Sequence, residues 1–119
     1  MSFRFLNFPV YKDIKKYIGN IYSLSSKFPK DEQFGLTNQL RRAATSIALN
    51  LAEGSDRGSD ADFKRFIQMS IGSVNETVAI FDIALERSFI DQVNCAIIIS
   101  QAESIVKQLS AFRQALKSR

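Results

Sequence analysis

Residues Gln39–Arg57 read QLRRAATSIALNLAEGSDR. Successive residues of a helix turn by about 100°, which puts Leu40, Ala44, Ile47 and Leu51 within about 60° of one another. They form one apolar stripe, and the segment reads as a helix. A second stripe, Gln39, Arg42, Ser46, Asn50 and Glu53, lies more than a quarter-turn away. The polar residues are ordered, not scattered. Ala43, Ala44, Ser46, Ala48 and Ala52 keep the helix thin, so that neighbouring backbones can approach closely. Polar groups buried on such a surface need hydrogen-bond partners. The stripe is therefore a polar seam between helices, a binding site or a catalytic site.

Working outward, three further helices emerge. One follows Pro9, where Val10, Ile14, Ile18, Ile21, Ser25 and Phe28 recur at helical spacing. Phe28-Pro29-Lys30 ends it, because proline disfavours helical geometry in the residue before it. The Gln39–Arg57 helix starts between Asp31 and Leu36; Asp31 and Glu32 suit its positive end. It stops at Gly54, where a left-handed glycine cap is expected. Ser59-Asp60-Ala61-Asp62 is close to a capping box. It opens a third helix whose stripe is Phe63, Phe66, Ile67, Ser70, Val74, Val78, Phe81 and Leu85. Asp91 suits the cap of a fourth. There Ile98, Ala102, Ile105, Leu109, Phe112 and Leu116 alternate in steps of four and three, a bundle seam. The expected fold is all-α: one domain over residues 1–119, an antiparallel up-down-up-down four-helix bundle.

Composition narrows the function. The chain has 119 residues, 45% hydrophobic and 24% charged, which is globular. Cys95 is the single cysteine, so no intramolecular disulfide is possible. No secretory pattern opens the chain, and no apolar run approaches the ~20 residues of a membrane helix. A cytoplasmic protein with no membrane contact is expected. Net charge is +4 and unevenly spread: +5 over residues 1–30, −2 over 31–60, −1 over 61–90 and +2 over 91–119. Such a surface suits a polyanion such as RNA or DNA.

Catalysis finds little support. There is no histidine, the commonest general base near neutral pH. Cys95 sits in an apolar run and reads as a buried, inert thiol. Glu53, Asp56, Asp60 and Asp62 cluster in sequence without the spacing of a calcium loop, and helix capping accounts for Asp60 and Asp62. No enzyme activity, metal or cofactor is expected. For nucleic acid the candidates are Lys12, Lys15, Lys16, Lys107, Arg113 and Lys117, with Arg119. They lie on the first and last helices, which are neighbours in an up-down bundle, so the two basic ends are expected to merge. Tyr11, Tyr17 and Tyr22 suit either base stacking or packing at helix seams. The third helix carries a second face, Met69, Ser73, Glu76, Ile80, Ile83 and Arg87, which points to contact with another subunit. Arg42 with Glu76 is the first candidate for an ion pair. The polar assembly seam comprises Gln39, Arg42, Ser46, Asn50, Glu53, Arg57, Ser73 and Glu76.

The stretch QLRRAATSIALNLAEG, with the preceding FPKDEQFGL, resembles the four helix bundle protein family. A second block, Phe63 through Glu76, reproduces that family's G-S-x-x-E at Gly72, Ser73 and Glu76. The family includes proteins encoded in intervening sequences of bacterial 23S ribosomal RNA genes. It also includes the accessory variability determinant of diversity-generating retroelements. The two blocks cover about half of the chain. Leu51 stands where the usual N-I-A-E-G has isoleucine. The resemblance implies a homopentamer of four-helix bundles and contact with RNA through a basic surface. In the retroelement branch it implies a reverse transcriptase partner. Arg41, Ala43, Ala44, Ile47, Ala52, Gly54 and Arg57 carry over with the seam residues, as a motif of fold and assembly.

Overall fold

Pro9 fills the first turn of α1 (Pro9–Ser25), where its missing N–H costs nothing. Phe28-Pro29 ends the turn that follows, and a single 3-10 turn over Lys30–Glu32 leads to α2 (Leu36–Gly54). Gly35 caps nothing; Glu32 instead reaches forward, its Oε1 accepting from Leu36 N at 3.1 Å. Ser59 Oγ accepts from Asp62 N at 3.1 Å and opens α3 (Asp60–Glu86). Asp91 Oδ1 accepts from Asn94 N at 2.7 Å and opens α4 (Gln92–Ala115). The computed structural model describes residues 3–116, and no strand occurs among them. A 3-10 turn at Arg4–Asn7, ahead of α1, was not legible in the sequence.

The direction of each helix follows from what its ends touch. Arg4, before α1, donates to Ser55 O beyond the end of α2, while Arg41 near the start of α2 donates to Ser25 and Tyr22 near the end of α1. Ser70 of α3 donates to Ile47 O of α2 at 2.9 Å, and Gly54 abuts Phe63 and Phe66. Phe81 meets Cys95, and Gln68 meets Arg113. Gln108 meets Asp13, and Asn20 meets Gln101. All four seams are antiparallel. The bundle is 47 Å long.

One core runs through it, including Ile14, Leu40, Ile47, Leu51, Ile67, Val74, Phe81 and Leu109, all without solvent contact. Tyr17 of α1 joins this core and not a surface. Its hydroxyl meets Thr77 Oγ1 of α3 at 2.8 Å, a buried polar link between diagonal helices. Ile80 turns inward and is only 3% exposed, so it leaves the outer face of α3 assigned to it by spacing. Val78 and Leu85 sit at the rim instead.

Gly54 corrects the expectation of a left-handed cap. No glycine among the described residues has a positive φ. Gly54 is the last residue of α2 and is buried against α3. A Cβ there would lie 2.6 Å from Phe66 Cβ and 3.0 Å from Phe63 Cδ1. The glycine permits close backbone approach. The left-handed position falls at Ser88, with φ 63°, after α3. Phe89 N donates to Ala84 O at 2.8 Å and Ser88 N to Leu85 O at 3.0 Å. This is the paired pattern of a Schellman cap, formed without glycine. Phe89 then packs on Phe28.

Candidate assembly and nucleic-acid surfaces

The two adjacent arginines of α2 do different work. Arg41 turns to α1: its Nε donates to Ser25 Oγ at 2.9 Å and its Nη2 to Tyr22 O at 3.2 Å, with the guanidinium 4.6 Å over the Tyr22 ring. It ties α2 to a carbonyl in the last turn of α1, one that also accepts from Ser26 N at 3.1 Å. Arg4 makes a matching tie at the other end of the seam, donating to Ser55 O at 2.8 and 3.1 Å. Arg42, about 100° further round, is exposed.

The polar stripe of α2 borders α3 on the outside of the bundle. Gln39, Arg42 and Glu53 are exposed, while Ser46 and Asn50 are half-buried. Ser46 Oγ donates to Arg42 O at 2.9 Å and Asn50 Nδ2 to Ser46 O at 3.0 Å, so both are satisfied by their own helix. Glu53 and Arg57 pair at 2.9 Å, and Asp62 bridges Arg57 and Arg65 at 3.5 and 3.0 Å. Both guanidiniums lie over the Phe66 ring, at 4.5 and 4.7 Å. On α3, Glu76 is exposed and Ser73 half-buried. The Arg42–Glu76 pair is not formed within the chain. Among the described residues, the side chains of Gln39, Arg42, Ser73 and Glu76 have no polar partner. Around them Leu49, Met69 and Ile83 are 66%, 44% and 50% exposed. Gly72 also faces outward in mid-helix, and a Cβ there would meet nothing within 4 Å.

The basic residues do not merge into one patch. Lys12, Lys15 and Lys16 are exposed on α1. Lys16 lines a shallow groove against α4 beside Asp13, whose Oδ2 accepts from Gln108 Nε2 at 2.9 Å. Lys107 lies on the opposite flank of α4, in a groove shared with Asn75 and Val78 of α3. Arg113 is half-buried and donates to Gln68 of α3. Lys117 and Arg119 lie outside the described residues. Charge divides instead between helix pairs. α1 and α2 carry five cations against two carboxylates, whereas α3 and α4 carry four against six. The burial of Tyr17 removes it from any stacking role, and desolvation pushes its hydroxyl pKa up to about 12. Tyr11 is half-buried and Tyr22 is 42% exposed.

This geometry joins the sequence motifs on one molecule, and comparison with known families decides what they belong to. The family model described as 23S rRNA-intervening sequence protein matches residues 7–111, spanning nearly all of the four helices. The chain belongs to this family. A crystal structure from Bacteroides thetaiotaomicron, described as a protein with unknown function from the S23 ribosomal protein family, has the same fold. It superposes with a TM-score of 0.81 at 21% identity, over 89% of this chain and 99% of that one. Among curated proteins, none matches.

Neither description names a reaction. In this family member Cys95 is buried, with Sγ 3.8 Å from Phe81 O. Burial, followed by the charges of Asp82 and Asp91, raises its pKa and disfavours the thiolate a nucleophile needs. No group of three or more metal-ligating side chains occurs among the described residues, and no helix there is long and apolar enough to cross a membrane.

Proposed function

We propose that the protein is a non-catalytic, cytoplasmic homo-oligomer that binds RNA or another nucleic acid through its basic helices. The excess of cations on α1 and α2, five against two carboxylates, supports the nucleic-acid contact, and the assembly rests on the outer face of α2 and α3. It combines unpartnered charges of both signs, Arg42 and Glu76, with exposed Leu49, Met69 and Ile83. Gly72 adds a separate argument. Glycine inside a helix costs about 1 kcal/mol relative to alanine, and nothing within the subunit requires it. A second copy packed on α3 supplies a reason, as small residues let helix backbones approach. The resemblance makes that assembly a pentamer. Repetition around such a ring multiplies weak phosphate contacts by avidity.

A second reading is an adaptor for a protein partner such as a reverse transcriptase. The groove between α3 and α4, about 570 Å³ and floored by Val78, Ile99 and Val106, favours it. Sedimentation of the wild type, Arg42→Glu and Gly72→Leu tests the assembly. The wild type sediments as one discrete oligomer, and each variant falls to smaller species while remaining helical. A monomeric wild type, or variants that assemble as it does, contradicts the proposal.

A further inference from the structure

We infer that the flank of α1 beside α2 is a track for single-stranded nucleic acid, with a base stacked on Tyr22 and phosphates held by Lys15 and its neighbours. This rests on the nucleic-acid reading above and moves the contact from the α1–α4 side to the α1–α2 side. Tyr11, Lys15 and Tyr22 share one face of α1, since steps of four and seven residues return to nearly the same direction. On that face Lys15 Nζ lies 5.3 Å from the centre of the Tyr11 ring. Further along, Arg41 reaches across from α2 and sits 4.6 Å over Tyr22, anchored by Ser25 Oγ and Tyr22 O. Arg41 occupies one face of the ring and holds it in place, while Tyr22 as a residue remains 42% exposed, so a base stacks on the face opposite the guanidinium. A fixed aromatic beside a cation is the arrangement on which bases of any sequence stack.

Three further features agree. Gly19 is exposed between Lys15 and Tyr22, and a Cβ there would meet nothing within 4 Å. Glycine is unfavourable inside a helix, and packing does not explain this one. It leaves bare backbone where a sugar–phosphate strand has to pass. The only carboxylates of α1 and α2 are engaged elsewhere, Asp13 with Gln108 and Glu53 with Arg57. Phe34, 90% exposed in the connection between α1 and α2, adds a second open ring beyond the end of α1 that carries Tyr22. None of these groups reads a base edge. Recognition is by stacking and charge, which favours an unpaired strand over a duplex.

The test is fluorescence anisotropy with a labelled oligouridylate of about 20 nucleotides, across a salt series, with duplex RNA of equal length alongside. Tyr22→Leu weakens binding at least about fivefold, the lower bound for one stacked base, and leaves the salt slope unchanged. Tyr22→Phe keeps a ring and binds as the wild type does. Lys15→Gln lowers the log–log salt slope by about 0.7, the value for one phosphate on a single strand. Thermal melts confirm that each variant is folded. Unchanged binding by Tyr22→Leu overturns the inference, as does duplex bound more tightly than single strand. If Lys16→Gln with Lys107→Gln carries the loss instead, the inference fails while the nucleic-acid reading stands. A wild type that binds neither probe at low salt overturns both.

Discussion

Replacing Gly54 by alanine tests the closest approach in the bundle. The new methyl carbon would lie 2.6 Å from Phe66 Cβ, where contacts below 3.4 Å already require a neighbour to give way. Phe66 Cβ is fixed to the backbone of α3, so no side-chain rotation relieves it. The two helices must part, and the loss spreads to the packing of Ile47, Leu51 and Ile67 between them. Overpacking costs about 1–3 kcal/mol, and a contact of 2.6 Å with a backbone-fixed atom falls at the upper end of that range, against a gain in helix propensity of about 1 kcal/mol. A net loss of about 2 kcal/mol remains. With an unfolding entropy near 2.1 cal/mol/K per residue, a chain of 119 residues then loses about 8 °C in Tm. Gly54→Asn separates this cause from a left-handed cap, which asparagine tolerates; against Phe66 it is worse than alanine. Melting followed by far-UV circular dichroism reads both. A Tm for Gly54→Ala within about 2 °C of wild type, or an asparagine variant more stable than the alanine one, refutes the close-contact account.

Tyr17→Phe removes the hydrogen bond to Thr77 and costs about 1 kcal/mol. Because the Tyr17 pKa is raised from 10.0 to about 12 in the fold, the folded state keeps a proton that the unfolded state has lost between those values. Wild-type stability therefore falls as pH rises from 10 to 12, by up to about 1.4 kcal/mol per unit, and the excess slope over Tyr17→Phe in denaturant titrations measures it. Ser88→Gly relieves the left-handed backbone after α3 and gains about 0.5–1 kcal/mol in the same titration. The Asp91 pKa is lowered from 3.8, chiefly by the Asn94 backbone hydrogen bond and then its side chain. Its contribution is present above the ordinary carboxylate range and is lost as pH falls through the lowered value. Asp91→Asn keeps the cap without the titration, so melting below pH 4 shows the wild type losing more stability than the variant.

Helices were legible because their signals are local. Pro9, Ser59 and Asp91 mark starts by chemistry that acts within three residues, and the apolar stripes identify the buried faces of all four helices. What failed depends on neighbours. Gly54 has the composition of a cap, and only the position of Phe63 and Phe66 shows that it serves packing. Ser88 occupies the left-handed position that glycine usually fills, so the cap after α3 carried no signal. Tyr17 lies one residue from the apolar positions counted by spacing. It enters the core because Thr77, sixty residues away, satisfies its hydroxyl. Ile80 is buried with the core cluster although its spacing put it on the outer face. The same limit applies to the candidate surfaces. Sequence adjacency of Arg41 and Arg42 hides that one ties α1 to α2 while the other faces solvent. Basic residues on α1 and α4 suggested one patch, but Arg113 turns to Gln68 and Lys107 to the α3 side. A helix wheel for each element separately does not give these directions.

On the proposed function, this bundle acts by binding nucleic acid through its basic helices. Affinity of the wild-type protein, stripped of nucleic acid, for a structured RNA with unpaired loops tests it most directly across a salt series. Measurable binding at low salt is expected, with a steep log–log loss of affinity as salt rises, reflecting several neutralised phosphates. Absence of binding at the lowest salt would contradict it and would leave the excess of cations on α1 and α2 without a partner.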